Sequence, residues 1–311
     1  MKTACLAILN YNGRRHLEHL LPTAIASAQK YPGRCTVLVL DNRSTDPDVE
    51  WIGREFPTVQ VVVSPENDFL FSYNWLASIR NEDILVLLNN DLKLDPDFLL
   101  PLVHHLCAPD VFSVGACSFD WEGKEYTSGP AQIKSRKGFY YWPYEFGRQE
   151  LCYTLFTSGG FMAVDRIKFL EIGGFNRLFY PAYHEDVELC FRAWRKGWRC
   201  IYEPASVVWH RENASWNNSP FSSTSRLSSQ NSLLFQWACL PMNHEVWGRR
   251  WSMANIVVGG ALHFDFSWAA NFLVTSMRWH KLKHQLAGLK ATEKELESII
   301  KAIDCPVSLI Q

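Results

Sequence analysis

Four short apolar runs, Cys5–Leu9, Thr36–Leu40, Gln60–Val63 and Ile84–Leu88, alternate with amphipathic segments near residues 15–30, 46–55 and 70–80. Runs this short are too brief for core helices and suit buried strands, whereas the segments between them are long enough for helices. Strand, helix, strand in repetition is the pattern of βαβ units, which put a largely parallel sheet between two helical layers. Pro57 and Pro65 stop the chain from continuing a helix on either side of the third run. The first hundred residues therefore read as doubly wound α/β.

Residues 120 to 150 are rich in Gly, Tyr, Trp and charge without a clear period, and read as a long loop or irregular hairpin on the side of the site. From about 154 the pattern resumes with a strand through Phe161–Val164, a helix near 166–172 and a Gly173-Gly174 stop. A further helix is expected from Glu185, because Val187, Cys190, Phe191 and Trp194 share one face, with Gly197 as its end. A strand follows around Val207–Trp209, then a Ser/Asn-rich stretch, 214–232, that reads as a linker, then a helical remainder.

Lysine plus arginine number 31 against 32 for aspartate plus glutamate, so no global field draws in nucleic acid, which is excluded as a partner. Any anion must be held by a local site. The nine cysteines are scattered with no C-x-x-C pair and read as reduced cytosolic thiols. The apolar run Ala4–Leu9 is too short for a signal-peptide core, so a cytoplasmic location is expected.

In open α/β sheets ligands sit beyond the carboxyl ends of the strands. Three of those ends are dense in polar groups: Asn10-Tyr11-Asn12-Gly13, Asp41-Asn42-Arg43-Ser44-Thr45-Asp46 and Asn89-Asn90-Asp91. Each taken alone also suits a turn or helix cap. Together they suit a nucleoside diphosphate, which needs an acid for hydroxyls, amide donors, and a cation for its phosphates. A carboxylate beside a diphosphate is repulsive unless a metal lies between, so Asp91 is expected to ligate Mg²⁺ or Mn²⁺.

The series N-Y-N-G at 10–13, D-N-x-S-x-D at 41–46, the Asn-rich helix entry with Asn67 and Asn74, L-N-N-D at 88–91, S-G-G-F-M at 158–162, G-G-F-N at 173–176 and H-E-D-V-E-L-C-x-R at 184–192 resembles family 2 of the GT-A glycosyltransferases. It is most similar to the bacterial rhamnosyltransferase-type members, over roughly residues 4 to 212. The resemblance implies a GT-A fold, Rossmann-like and mostly parallel, with a C-terminal helical appendage. It divides the chain into a catalytic domain 1–230, with a donor-binding half 1–110 and an acceptor and base half 111–230, and a helical region 231–311. It makes Asp41 the acid on the nucleoside, and assigns donor contacts to Asn10, Tyr11, Asn12, Ser44, Asn67, Asn74 and Asn90. Asn89-Asn90-Asp91 takes the place of the family's D-x-D metal motif, and His210 matches a histidine that completes the metal site in several relatives. Glu185-Asp186 matches the pair whose aspartate is the base in inverting members. One departure stands out: Asn89 replaces an aspartate and contributes no charge to hold the metal.

The reaction so implied is inverting transfer of a sugar from a UDP, dTDP or GDP donor to a hydroxyl of a saccharide or lipid-linked saccharide, as in cell-surface polysaccharide synthesis. Two other classes remain open: a sugar-phosphate nucleotidyltransferase, although N-Y-N-G lacks a Gly-rich phosphate cradle, and a donor-binding or carbohydrate-binding protein without activity. Within Trp251–Met277 the polar residues Asn255, His263, Asp265 and Asn271 would be costly in hydrocarbon, so packed or interfacial helices are expected rather than a span. The basic stretch Arg278–Lys290 is expected to favour peripheral contact with an anionic inner membrane face.

Overall fold

A computed structural model describes residues 1–136, 139–211, 224–241, 267–282 and 288–307. Strands β1 (Ala4–Asn10), β2 (Cys35–Asp41), β3 (Gln60–Val63) and β4 (Ile84–Asn89) are parallel, in the order β3-β2-β1-β4. The chain moves outward from β1 to β2 and β3 and then returns to the other side of β1. The junction of β1 and β4 is therefore the topological switch point, where the flanking connections diverge and leave a crevice. Register sets what stands there: Asn10 lies beside Asp41, and Leu9 beside Asn89.

The sheet continues beyond β4 through β10 (Phe161–Asp165), β6 (Val111–Asp120), β11 (Arg199–His210) and β5 (Leu92–Leu94), with β9 (Cys152–Tyr153) also pairing β11. β10 runs antiparallel between β4 and β6, and β5 and β9 are antiparallel to β11. The sheet is thus mixed, with parallel pairing kept in β1–β4 and in β6 with β11. A separate hairpin of β7 (Lys134–Arg136) and β8 (Phe139–Tyr141) lies in the region read as irregular.

Helices cover both faces because successive strand residues point to opposite sides. On one face Leu6 and Ile8 of β1 join Leu17 and Leu20 of α1 (Arg14–Lys30), Ile52 of α2 (Asp48–Glu55) and Leu102 of α4 (Leu99–His105) in one core. On the other face Cys5 and Ala7 join Leu76 of α3 (Ser72–Ile79), Phe169 of α5 (Arg166–Glu171) and Phe191 of α6 (Glu185–Arg195). Phe235 of α7 (Thr224–Cys239) and Ile299 of α9 (Glu293–Ile303) belong to that second core, and α8 (Ser267–Leu282) packs on α7. The C-terminal helices therefore share a hydrophobic core with the central sheet.

One expectation is corrected over part of its length, since residues 214–223 of the stretch read as linker lie outside the described residues. Residues 224–232, read as linker, form the first part of α7, which crosses position 230 without a break. Asn231 explains it: the side chain is fully buried and donates to Phe179 O at 3.2 Å, Ala182 O at 2.8 Å and Tyr183 O at 3.0 Å. A polar stretch is helical here because its polar groups are used inward. Arg278, grouped with the basic stretch, also turns inward, donating to Asn231 Oδ1 and Leu178 O, both at 2.8 Å. Of the Trp251–Met277 segment, residues 251–266 lie outside the described residues. Among the described residues no helix is long and apolar enough to cross a membrane.

Candidate active site at the carboxyl edge of the sheet

Among the described residues, five non-glycine residues have left-handed backbone: Asn12, Arg43, Phe69, Tyr183 and His184. All five lie on the loops that follow β1, β2 and β3 or that lead into α6. Such conformations cost of order 1–3 kcal/mol each and persist where the surroundings enforce them, commonly at functional sites.

At the switch point the side chains form one connected amide and carboxylate network. Asn10 Nδ2 donates to Asp48 Oδ2 at 2.9 Å and to Asp41 Oδ1 at 3.3 Å, while Asn90 Nδ2 donates to Asn10 Oδ1 at 3.0 Å. Ser44 donates from its backbone N to Asp41 Oδ2 at 2.9 Å and from its hydroxyl to Asp41 Oδ1. Asn12 locks the same loop by accepting from Thr45 N at 2.7 Å. Gly13 makes room for this: a Cβ there would lie 2.0 Å from Asn90 Nδ2 and 2.4 Å from Asn10 Oδ1. Tyr11 stays about half exposed at the mouth.

Asp48 lies outside the motif, which ends at Asp46. It is nearly fully buried, yet it accepts from Gly13 N at 3.0 Å, whereas Asp46 is exposed. Only its place at the start of α2 signalled it. Asn67 is exposed and accepts weakly from Phe69 N at 3.4 Å. Asn74 is committed elsewhere, donating to Phe175 O at 2.9 Å and accepting from Phe175 N at 2.8 Å, so its amide holds the Gly173-Gly174 turn.

β11 brings His210 to Asp91 from across the sheet. His210 pairs with Leu92 in β5, Arg211 N donates to Asp91 O at 3.0 Å, and His210 Nε2 stands 3.4 Å from Asp91 Oδ1. Two donors 3.4 Å apart can share one cation at the 2.0–2.2 Å bond lengths usual for Mg²⁺ or Zn²⁺-sized ions. No set of three or more His, Cys, Asp or Glu groups able to hold a metal exists among the described residues. Asp91 and His210 thus offer two donors of the type a divalent ion accepts, and further ligands would have to come from outside this pair.

The turn Ser158-Gly159-Gly160-Phe161 separates this cluster from a second one. Asn89 N donates to Gly160 O at 2.8 Å, and a Cβ on Gly160 would lie 2.7 Å from Asn89 Nδ2. A Cβ on Gly159 would lie 3.5 Å from Asp186 Cβ and 3.3 Å from Leu70 Cδ1. The two glycines thus let Asn89 and Asp186 approach adjacent positions of one stretch of backbone.

Asp186 accepts from Gly159 N at 3.1 Å and from Val187 N at 2.8 Å. Burial raises its pKa, and those two N–H bonds oppose the rise. Glu185 is pushed well above the ordinary carboxylate range by burial and then by the neighbouring Asp186 charge, and its Oε2 is buried without a hydrogen-bond partner among the described residues. The two carboxyls act on each other, and the backbone N–H groups that favour the ionised form fall on Asp186.

Residues beyond the expected set hold α6 in place. Glu188, fully buried, receives Arg192 Nε at 2.7 Å and Nη2 at 2.8 Å, and Arg192 also donates to Gly174 O at 2.7 Å. Both lie in the H-E-D-V-E-L-C-x-R run, four residues apart on one helix face, and that spacing was the available signal.

A model of the family described as glycosyltransferase-like family 2 matches residues 4–225. The chain belongs to glycosyltransferase family 2. Among the family 2 proteins and related transferases it resembles, an N-acetylglucosaminyl-diphospho-decaprenol L-rhamnosyltransferase of Mycobacterium tuberculosis is 25% identical over 79% of this chain and 87% of its own length. GalNAc-T7, solved with UDP, GalNAc and Mn²⁺, superposes with a TM-score of 0.61 at 17% identity over 77% of this chain; the match spans 49% of that protein, so this chain answers to about half of it. The Pyrobaculum calidifontis mannosyltransferase PcManGT, solved with GDP-Man and Mn²⁺, gives a TM-score of 0.52 at 14% identity over 96% of this chain and 78% of its own. These likenesses establish the GT-A fold, and family 2 membership supports a sugar-transferring enzyme.

Proposed function

We propose that this family 2 chain transfers a sugar, with inversion, from a nucleotide-diphosphate sugar to a hydroxyl of a saccharide or lipid-linked saccharide, with Asp186 as base. The observation that carries the reading is the Gly159-Gly160 turn, with Asn89 of the phosphate-side cluster against one glycine and Asp186 against the next. A leaving diphosphate and an attacking hydroxyl need stabilisation on opposite faces of one sugar ring, and the nearness of both clusters to one two-glycine turn supports the reading that they serve one sugar.

Asp41, Asn10, Asn12, Ser44 and Asn90 would bind the nucleoside and sugar hydroxyls, with Tyr11 as an exposed ring at the mouth and Asn67 at the rim. Asp91 and His210, with the Asn89 carbonyl beside them, would hold Mn²⁺ or Mg²⁺, which supplies Lewis-acid neutralisation of the diphosphate. Asn89 in place of an acid leaves few protein charges for the ion, so donor phosphates complete the site and metal and donor bind together. Asp186, ionised and held by two backbone donors, takes the acceptor proton in the transition state, a role worth typically 10²–10⁴ in rate. Its raised pKa makes it a stronger base than a surface aspartate. Glu185, kept neutral by burial, is suited to hydrogen-bond the acceptor rather than to take its proton. The relatives span rhamnosyl, N-acetylgalactosaminyl and mannosyl transfer, with UDP and GDP-Man among the bound donors, so UDP, dTDP and GDP sugars are the donors to test. The rhamnosyltransferase relative is named for an N-acetylglucosaminyl-diphospho-decaprenol acceptor, which supports a lipid-linked saccharide as the acceptor to test.

The test is donor cleavage across a panel of UDP, dTDP and GDP sugars, with Mn²⁺ and with EDTA. Cleavage of at least one donor that EDTA abolishes is expected. Binding of a nucleotide sugar without cleavage under any condition would leave a donor-binding protein, and metal-independent cleavage would mean that Asp91 and His210 hold no catalytic ion.

A further inference from the structure

Against His184, at the entry to α6, lies a cleft of about 580 Å³ between the β7–β8 hairpin and helices α7 and α8. Its volume is in the range of small-molecule sites. Phe139, Tyr141 and Trp142 present aromatic surface along one wall, and Trp142 is braced edge-to-face by Phe235 and by His184, with ring centroids 5.1 and 5.3 Å away. The opposite wall carries Ser228, Ser229 and Ser232 from α7 with the amide of Gln236. Gln236 spends its carbonyl oxygen on Tyr140 N at 3.0 Å, which fixes the amide so that its NH₂ is the group offered. No lysine, arginine, aspartate or glutamate lines the cleft among the described residues, in a chain that is 20% charged. His184, the histidine of the cleft wall, is lowered by burial to about 4 and so is neutral at physiological pH.

We propose that this cleft is the acceptor subsite and that it takes an uncharged saccharide, one pyranose ring lying on Trp142 with its hydroxyls facing the serines and Gln236. The chemistry follows from the walls. A pyranose has apolar C–H faces that pack on an aromatic plane and an equatorial ring of hydroxyls that pair with neutral donors and acceptors, whereas a phosphate or carboxylate would meet no counter-charge from the described lining residues. An aliphatic lipid tail would offer no partner to the Gln236 NH₂ or to the Ser228 and Ser232 hydroxyls, whereas Ser229 donates within α7 to Ser225 O at 2.8 Å. Continuity with the chemistry is direct: His184, which lines the cleft and abuts Trp142, is two residues before Asp186 and precedes α6 in left-handed conformation. The three carbonyls of the preceding loop held by Asn231 of α7 tie the cleft wall and the base to the same element. A charged or lipid part of the acceptor then extends outward from the cleft, past the exposed Tyr141.

This inference rests on the glycosyltransferase reading, and the two are separated by probing the cleft without donor. Saturation-transfer NMR on the full chain with methyl glycosides of glucose, galactose, N-acetylglucosamine and rhamnose tests it. At least one glycoside is expected to receive ring-proton saturation from the wild type, and that signal should fall at least about fivefold in Trp142→Ala. Trp142 is braced by Phe235, so Ser229→Tyr is the second variant; Ser229 is exposed on α7 and a tyrosine there fills the cleft without disturbing the core. Saturation that survives in both variants, or none from any glycoside in the wild type, overturns the assignment. Absence of donor cleavage in the wild type strikes the glycosyltransferase reading alone, since glycoside binding is read independently.

Discussion

Glu185 and Asp186 are neighbours whose environments pull them apart. Asp186 receives two backbone N–H groups, and Glu185 buries an oxygen with no donor beside it among the described residues. A carboxyl whose folded pKa lies above its unfolded value keeps its proton in the folded state after the unfolded chain has lost it. The stability it contributes is complete below the unfolded value, about 4.3, and is lost as pH rises through the raised folded value. Glu185→Gln has no such loss. Its melting temperature relative to wild type should be near equal at about pH 4 and rise above it toward about pH 8. A difference that does not change with pH would mean that Glu185 is ionised in the fold. Gly13 gives a second residue-scale prediction. Gly13→Ala drives a Cβ into Asn90 and Asn10, and should cost about 1–3 kcal/mol in denaturant unfolding and weaken nucleotide binding more than it lowers turnover. Unchanged nucleotide affinity in this variant would detach the Asn10–Asn90 pair from the donor.

At the scale of elements, α7 is the piece that joins appendage to chemistry. The two N–H groups of Asn231 are shared among three carbonyls on the loop into α6, and Asn231→Ala removes those donors at about 1–3 kcal/mol. Because that loop aims Glu185-Asp186, turnover should fall together with stability while nucleotide affinity holds, measured by urea unfolding and calorimetry. Loss of nucleotide affinity in equal measure would mean that the loop serves the donor half instead. The parallel strands β1–β4 were readable because Val, Leu and Ile dominate them and polar turns bound them. β6 was not, since Val111–Asp120 is broken by Ser113, Gly115, Ala116 and Ser118, small residues that a helix-covered strand tolerates but that blur a hydrophobic run. β5 and β9, of three and two residues, are too short to carry any period. Polar strand ends and the Glu185-Asp186 pair were legible as site candidates because each is local. Asp48, Asn231 and the task of Asn74 were not, since their partners lie 35 to 101 positions away and follow from packing that no local pattern records. Asn231 is the clearest such case: an asparagine in a Ser-rich run signals a linker until its carbonyl partners are known.

At the scale of the molecule, the proposed function divides one sheet into two half-sites with different tasks. On that reading residues from β1, β2 and β4 serve the nucleotide, and β10, α6 and β11 bring the proposed base Asp186 and His210 toward it near the Gly159-Gly160 turn. A division of labour of this kind separates binding from chemistry, so a change at the base should leave donor affinity intact. A helix-terminal acid that only complements the dipole of α6 would behave in the opposite way, because an amide caps well and the lost interaction is below about 1 kcal/mol. The most direct test is turnover of Asp186→Asn at saturating donor, acceptor and Mn²⁺, with nucleoside diphosphate affinity measured by calorimetry on the same preparation. The predicted result is unaltered affinity and folding with kcat reduced about a hundredfold or more; near-normal turnover would contradict the assignment of Asp186 as the base.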